Sequence, residues 1–191
     1  IEFLKGRRLL NFEDQVSDAF FEDIDPEKVY AYLGKRSEQQ DFKRKDIEAL
    51  LFSLRLLREK TPTNLAVLFF AKNPGSIIPY AEIRLVRFKG TEPVDISNSS
   101  RITKVITEAI DDAISFIRLN TKTKYEIKEI KREEIPDYPV TVIREAVSNA
   151  VGHRDYYDQN SIQISIFDDR IEITNPGRLP LELKLSDLGR L

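Results

Sequence analysis

Between Val140 and Thr174 the hydrophobic pattern changes period, and that change limits the possible folds more than any other feature of the chain. In VTVIREAVSNAV (Val140–Val151) the apolar positions Val142, Ile143, Ala146, Val147, Ala150 and Val151 recur at helical spacing. In SIQISIF (Ser161–Phe167) the apolar residues alternate instead, placing Ile162, Ile164 and Ile166 on one face. RIEIT (Arg170–Thr174) returns with Ile171 and Ile173 inward, after a turn at Asp168-Asp169, and Asn175-Pro176-Gly177 stops the hairpin. A helix with one apolar stripe followed by a hairpin with one apolar face must be packed in layers, which gives an α+β fold with helices on a mixed or antiparallel sheet.

The upstream chain predicts further elements of both kinds. Asp25-Pro26 reads as a helix start that carries Val29, Tyr30 and Leu33 inward and stops at Gly34. Asp46 can cap a second helix, with Ile47, Leu50, Leu51, Leu54 and Leu57 on one face and an end before Pro62. Leu65–Ala71 (LAVLFFA) reads as a buried strand, followed by a turn at Asn73-Pro74-Gly75. Ala81–Phe88 alternates as a half-buried edge strand paired with it, and residues 90–100 form a polar loop. Ile102–Leu119 has the longest helical pattern, Tyr125–Lys131 alternates as a strand, and Pro136–Pro139 is a hinge. The expected organisation is a helical segment over residues 1–60 and an α+β region over 61–191, or one continuous domain from about residue 20.

Composition narrows the classes. The 191 residues are 41% hydrophobic and 32% charged, a globular balance. A net charge of −2 speaks against a strongly electrostatic nucleic-acid binder, and Lys43-Arg44-Lys45 and residues 122–132 read as solvated faces. The absence of cysteine excludes disulfides and thiolate metal sites and predicts an intracellular, cytoplasmic setting, and no apolar run approaches the roughly 20 residues of a membrane span. The absence of methionine, and so of an initiator, reads as a fragment of a longer protein or as a sequence from which some residues have dropped out. The seven glycines form no Gly-x-x-x-x-Gly-Lys-Ser/Thr loop, since Gly34-Lys35 is followed by Arg36, so helicase activity of the usual kind is excluded.

On the 140–151 helix, Glu145, Asn149 and His153 are spaced four apart and stack along one line. A carboxylate and an amide oxygen one turn apart can share a hydrated Mg²⁺ ion or an attacking water. The same pattern also describes a polar helix face turned to water. His153-Arg154-Asp155 imitates a kinase catalytic loop but lacks its context, so His153 is read as a helix C-cap or a partner of Asp155.

The order of helix with Glu-x-x-x-Asn, antiparallel hairpin and Asn175-Pro176-Gly177 resembles the ATP-binding (Bergerat, GHKL-like) fold of gyrase, heat-shock chaperones, histidine kinases and mismatch-repair ATPases. REAVSNAVGHRDYYD (Arg144–Asp158), SIQISIFDDRIEITNPGRLP (Ser161–Pro180) and, more weakly, TPTNLAVLFFAKNP (Thr61–Pro74) are similar to a RecG-related family of bacterial and archaeal transcriptional regulators. The resemblance implies ATP with Mg²⁺ as ligand, Glu145 as the water-activating position and Asn149 as the metal position. It places His153, Asp155, Asn175 and Gly177 at the nucleotide, Asn175 and Gly177 where an adenine-reading Asp and its Gly normally stand. It also implies contact with nucleic acid through other domains of the parent protein, and a homo-oligomer is a further possibility. The sequence departs from the pattern at Asn175, which replaces the aspartate, at Pro176, and at Leu179, which stands near the place of the second glycine. A Gly-rich lid does not follow in this chain.

Overall fold

A computed structural model describes residues 11–34, 47–128 and 131–177. The Asp46 cap, the Lys43-Arg44-Lys45 cluster, the Leu33 side chain and Leu179 lie outside the described positions. The described residues form an α+β fold with six α-helices, a mixed four-stranded sheet and two small antiparallel pairs. No described helix is long and apolar enough to cross a membrane.

The first layer is helical. After a 3-10 turn at Phe21–Asp23, α1 (Pro26–Gly34) starts where expected, with Asp25 Oδ1 accepting from the Glu27 N–H at 3.0 Å. The second helix, α2 (Ile47–Ser53), is shorter than its apolar spacing predicts. Arg55 takes a left-handed conformation (φ 62°), and the Leu56 N–H donates to Leu51 O at 2.8 Å while the Arg55 N–H donates to Phe52 O at 3.0 Å. This is a Schellman stop with arginine where glycine usually marks the position. Leu57 therefore leaves the helix, enters β1 (Leu57–Arg58) opposite β2 (Thr61–Pro62), and is still buried.

Leu65–Ala71 is a helix and not a strand. In α3 (Asn64–Phe70), Thr63 caps the N-terminus by accepting from the Ala66 N–H at 3.3 Å. Ala66 and Phe70 pack with Ile24, Val29, Ile47 and Leu51, while Val67 and Leu68 pack with Phe12, Ala19, Ile78 and Tyr156. Burial on two sides erases the polar face, so an apolar run of this length has no period to separate helix from strand. Asn73-Pro74-Gly75 likewise opens a one-turn helix, α4 (Pro74–Ile77), with proline at its start.

The sheet runs β4 (Asp95–Ile102), β3 (Ile83–Lys89), β7 (Ile162–Ile166), β8 (Ile171–Thr174), with β3 parallel to β7 and the outer pairs antiparallel. The partner of β3 is thus not the 65–71 segment. The polar stretch expected as a loop supplies the edge strand β4 (Asp95–Ile102). Seven of its eight residues are exposed, so it carries no alternation, and its register is set by backbone pairing with β3, by the buried Ile102 and by the Arg101 bond to Glu82. Because Ile102 belongs to this strand and is buried, α5 starts later than expected and spans Ile106–Asn120.

Strands β5 (Thr123–Lys128) and β6 (Lys131–Pro136) pair antiparallel, so the single expected strand is half of a hairpin. Helix α6 (Val140–Gly152) and the β7–β8 hairpin, with β8 at Ile171–Thr174, occur as the period change predicts. The hairpin closes at Asp168-Asp169, where the Phe167 N–H donates to Arg170 O at 2.8 Å. Ala113, Ile114 and Ile117 of α5 and Ile143 and Val147 of α6 pack on Leu85, Ile162, Ile164 and Ile166. The buried stripe of α6 is narrower than its composition suggests, since Val142 and Ala146 are exposed.

Candidate functional site

The core fixes the orientation of α6 and leaves Glu145, Asn149 and His153 exposed along one flank. At about 1.5 Å rise per residue, Glu145 lies about 12 Å along the axis from His153. His153 is the C-cap, its N–H donating to Asn149 O at 2.9 Å. One of the two roles read for it from sequence is therefore structural. The other does not occur: Asp155 Oδ1 accepts from the Tyr157 N–H at 3.0 Å, closing its own turn, and no His153–Asp155 pair is present among the described interactions.

Arg154, between them, turns inward and is 5% exposed. Its guanidinium donates to Tyr80 O at 2.6 Å and Asn160 O at 2.7 Å, with a longer contact to Glu82 O at 3.4 Å. It also lies over the Tyr156 ring at 5.0 Å. Burial lowers its pKa, with the nearby phenols and carboxylates acting in the opposite direction, and the guanidinium stays charged. Burial also pushes the Tyr156 phenol up to about 12, against the pull of Arg154. The kinase-like tripeptide is thus a fastening built around an internal arginine.

The hairpin stop folds back on this fastening. The Asp155 N–H donates to Pro176 O at 3.0 Å, and Pro176 is buried. A side chain at Gly177 would start 3.7 Å from His153 O and 3.8 Å from the Asp155 N. Asn175 is partly buried, and its Oδ1 is shielded from solvent without a hydrogen-bond partner among the described residues. The structure therefore brings His153, Asp155, Asn175 and Gly177 to one place at the end of α6, with Asn149 one turn away. Glu145 lies at the far end of the same flank. No group of three or more His, Cys, Asp or Glu side chains placed to hold a metal occurs among the described residues.

A second polar cluster was not read from the sequence. Glu82, just before β3, is 2% exposed and is bonded by Ser161 Oγ at 2.6 Å, Arg84 Nε at 2.6 Å and Arg101. These partners come from β3, β4 and the start of β7, far apart in sequence, so no local motif signals the cluster. Burial alone would raise the Glu82 pKa, but the bonds from Ser161, Arg84 and Arg101 outweigh it and the net shift is downward from 4.5. A carboxylate with a depressed folded pKa stabilises the fold fully above its unfolded value, and that contribution is lost as pH falls through the folded value. Stability measured by urea unfolding is expected to fall as pH drops below about 4.5, and Glu82→Gln is expected to flatten that part of the profile. An unchanged acid limb in Glu82→Gln would show that other carboxylates set it.

A family model, HATPase_c_4, described as "Putative ATP-dependent DNA helicase recG C-terminal", matches residues 159–190, which include β7, the hairpin turn, β8 and Asn175-Pro176-Gly177. No curated protein matches the chain. In fold the chain is similar to the crystal structure of the DIP2311 protein from Corynebacterium diphtheriae, with a TM-score of 0.71 and 19% sequence identity. That likeness covers 98% of this chain and 37% of the other, so this chain spans little more than a third of the length of that protein. At this identity the likeness concerns the fold, while the family match concerns the hairpin and its stop.

Proposed function

We propose that this chain is a degenerate nucleotide-binding module of the GHKL type, serving as a nucleotide sensor or interaction domain in a RecG-related transcriptional regulator. The observation that carries this reading is the convergence of Asn175-Pro176-Gly177 on the exit of α6, through the Asp155 N–H to Pro176 O bond at 3.0 Å. The name of the family matched over residues 159–190 supports ATP as the ligand. Asn175 Oδ1, an acceptor without a partner among the described residues and shielded from solvent, would meet an amino-group donor such as that of adenine once the turn opens. Asn149 would give Mg²⁺ one oxygen, with phosphates and water supplying the others, as this ion prefers. When bound, the ion would neutralise phosphate charge, and Glu145 would orient a water beside it. An open concavity lined by Glu48, Ala49, Phe52 and Glu59 suits polyphosphate poorly, since its charged groups are carboxylates.

Calorimetric titration with ATP, with and without Mg²⁺, tests this reading. Asn149→Ala is expected to weaken Mg²⁺-dependent binding by about tenfold or more. Glu145→Ala is expected to keep the affinity and abolish any hydrolysis. Equal affinities for wild type and Asn149→Ala would remove the site assignment.

A second reading is favoured by two departures from the pattern, at Asn175 and at Leu179 near the place of the second glycine. Asn175 stands where the resemblance places an aspartate, so the negative acceptor that would hold an adenine amino group is neutral here. A scaffold that has lost nucleotide binding would use the same exposed flank of α6 against a partner or a second copy. Its expected signature is a folded chain that takes up no nucleotide at millimolar concentration.

A further inference from the structure

The segment at residues 11–17 makes an unusual set of contacts. On one side its carbonyls serve the N-terminus of α3: Gln15 O accepts from the Asn64 N–H at 2.8 Å and Glu13 O from the Leu65 N–H at 3.1 Å. Asn64 Nδ2 donates to Phe12 O at 2.9 Å. Two amides that a helix start leaves without an internal partner are thus satisfied by this segment. On the other side, Phe12 stacks on Tyr156 at 5.7 Å and meets Tyr157 edge-on at 5.6 Å and Tyr80 at 6.4 Å. Gln15 Nε2 bonds the Tyr157 hydroxyl.

Tyr156 and Tyr157 directly follow Asp155, whose N–H holds Pro176 and whose Oδ1 holds the Tyr157 N–H. An unbroken set of contacts therefore runs from Phe12 and Gln15, through the tyrosines, to the Asn175-Pro176-Gly177 turn. We infer that residues 11–17 act as a strap whose docking on Tyr156 and Tyr157 sets the geometry of the Asn175-Pro176-Gly177 turn, so that release of the strap loosens the turn. Phe12, Gln15 and Tyr157 are then positioning residues. The coupling is a property of the chain itself; only its consequence for ligand affinity rests on the nucleotide reading above.

Amide hydrogen exchange on the full chain reads the strap directly. Phe12→Ala is expected to speed exchange of the Asp155 amide about tenfold, the scale of losing aromatic contacts of this kind, while the Leu85, Val147 and Ile164 amides keep their rates. Tyr157→Phe keeps the ring and removes the hydroxyl that Gln15 bonds, and is expected to move the Asp155 amide in the same direction by about threefold. It keeps the test available if Phe12→Ala does not fold. Unchanged Asp155 exchange, or a rise spread equally over Leu85, Val147 and Ile164, would overturn the strap. ATP affinity measured on the same variants is expected to fall with the rise in exchange. Wild type that binds no ATP would refute the nucleotide reading and leave the exchange result to judge the strap alone.

Discussion

Arg154→Ala is expected to destabilise the chain by about 3–5 kcal/mol, the scale of removing a buried charged donor and leaving its acceptors without it. The carbonyls of Tyr80 and Asn160 lose donors at 2.6 Å and 2.7 Å, and Tyr156 loses the cation above its ring. These acceptors lie on separate segments, so the loss unfastens the loop after α6 from the approach to β3. Lysine is not an adequate replacement, because both short bonds leave Nη2 and an ammonium would lose the Nη1 contact to Glu82 O and the flat group over the Tyr156 ring. Arg154→Lys is expected to recover less than half of the lost stability. Urea unfolding followed by far-UV circular dichroism measures both variants. Near-UV signals from Tyr80, Tyr156 and Tyr157 should change in each. A loss under about 1 kcal/mol for Arg154→Ala would mean that water replaces the guanidinium freely and that the residue is not a fastening.

Ile164→Ala is expected to cost about 3–5 kcal/mol through a different cause, a cavity. Ile164 is fully buried at the centre of the sheet, paired in register with Leu85 on one side and Ile173 on the other. Helices α5 and α6 close over it through a core that includes Ala113, Ile117 and Val147. Neighbours on both sides are held by ladder bonds and by helix packing, so the space cannot collapse easily and the upper half of the usual range applies. In a chain of 191 residues this lowers Tm by about 10 °C. Ile173→Ala, at the partly buried edge position opposite, is expected to cost less than half as much, and thermal unfolding of both separates central from edge burial.

The contrast between these residues explains what the sequence disclosed. Ile164 was legible because isoleucine alternates with polar residues across Ile162–Ile166, even though Ser165 on the opposite face is buried as well. The α6 stripe was legible for the equivalent reason at helical period, apart from Val142 and Ala146 at its margin. Leu65–Ala71 misled because two clusters bury it from opposite sides and remove the period. Residues 95–102 misled in the opposite way: an exposed edge strand has no face to bury, and only its partner shows that it is a strand. The end of α2 was missed because Arg55 fills a position that glycine would have advertised.

At the site, the line of Glu145, Asn149 and His153 followed from spacing alone. The meeting of His153, Asp155 and Gly177 needed the return of the hairpin, which the order of elements implied but no local pattern fixed. Arg154 gave the least warning. A lone arginine in a polar loop looks solvated, and only the carbonyls of Tyr80 and Glu82, from a distant segment, together with that of Asn160 in its own loop make it internal.

Titration of the isotope-labelled chain with ATP in the presence of Mg²⁺, followed residue by residue through backbone amide chemical shifts, tests nucleotide binding at this place most directly. The amides of Asn149, His153, Asp155 and Gly177 are expected to shift together along one saturable curve, while those of Ile164 and Leu85 in the core stay in place. Absence of any shift at the end of α6, or saturable shifts confined to another surface such as Arg84 and Arg101 on the open side of the sheet, would contradict it.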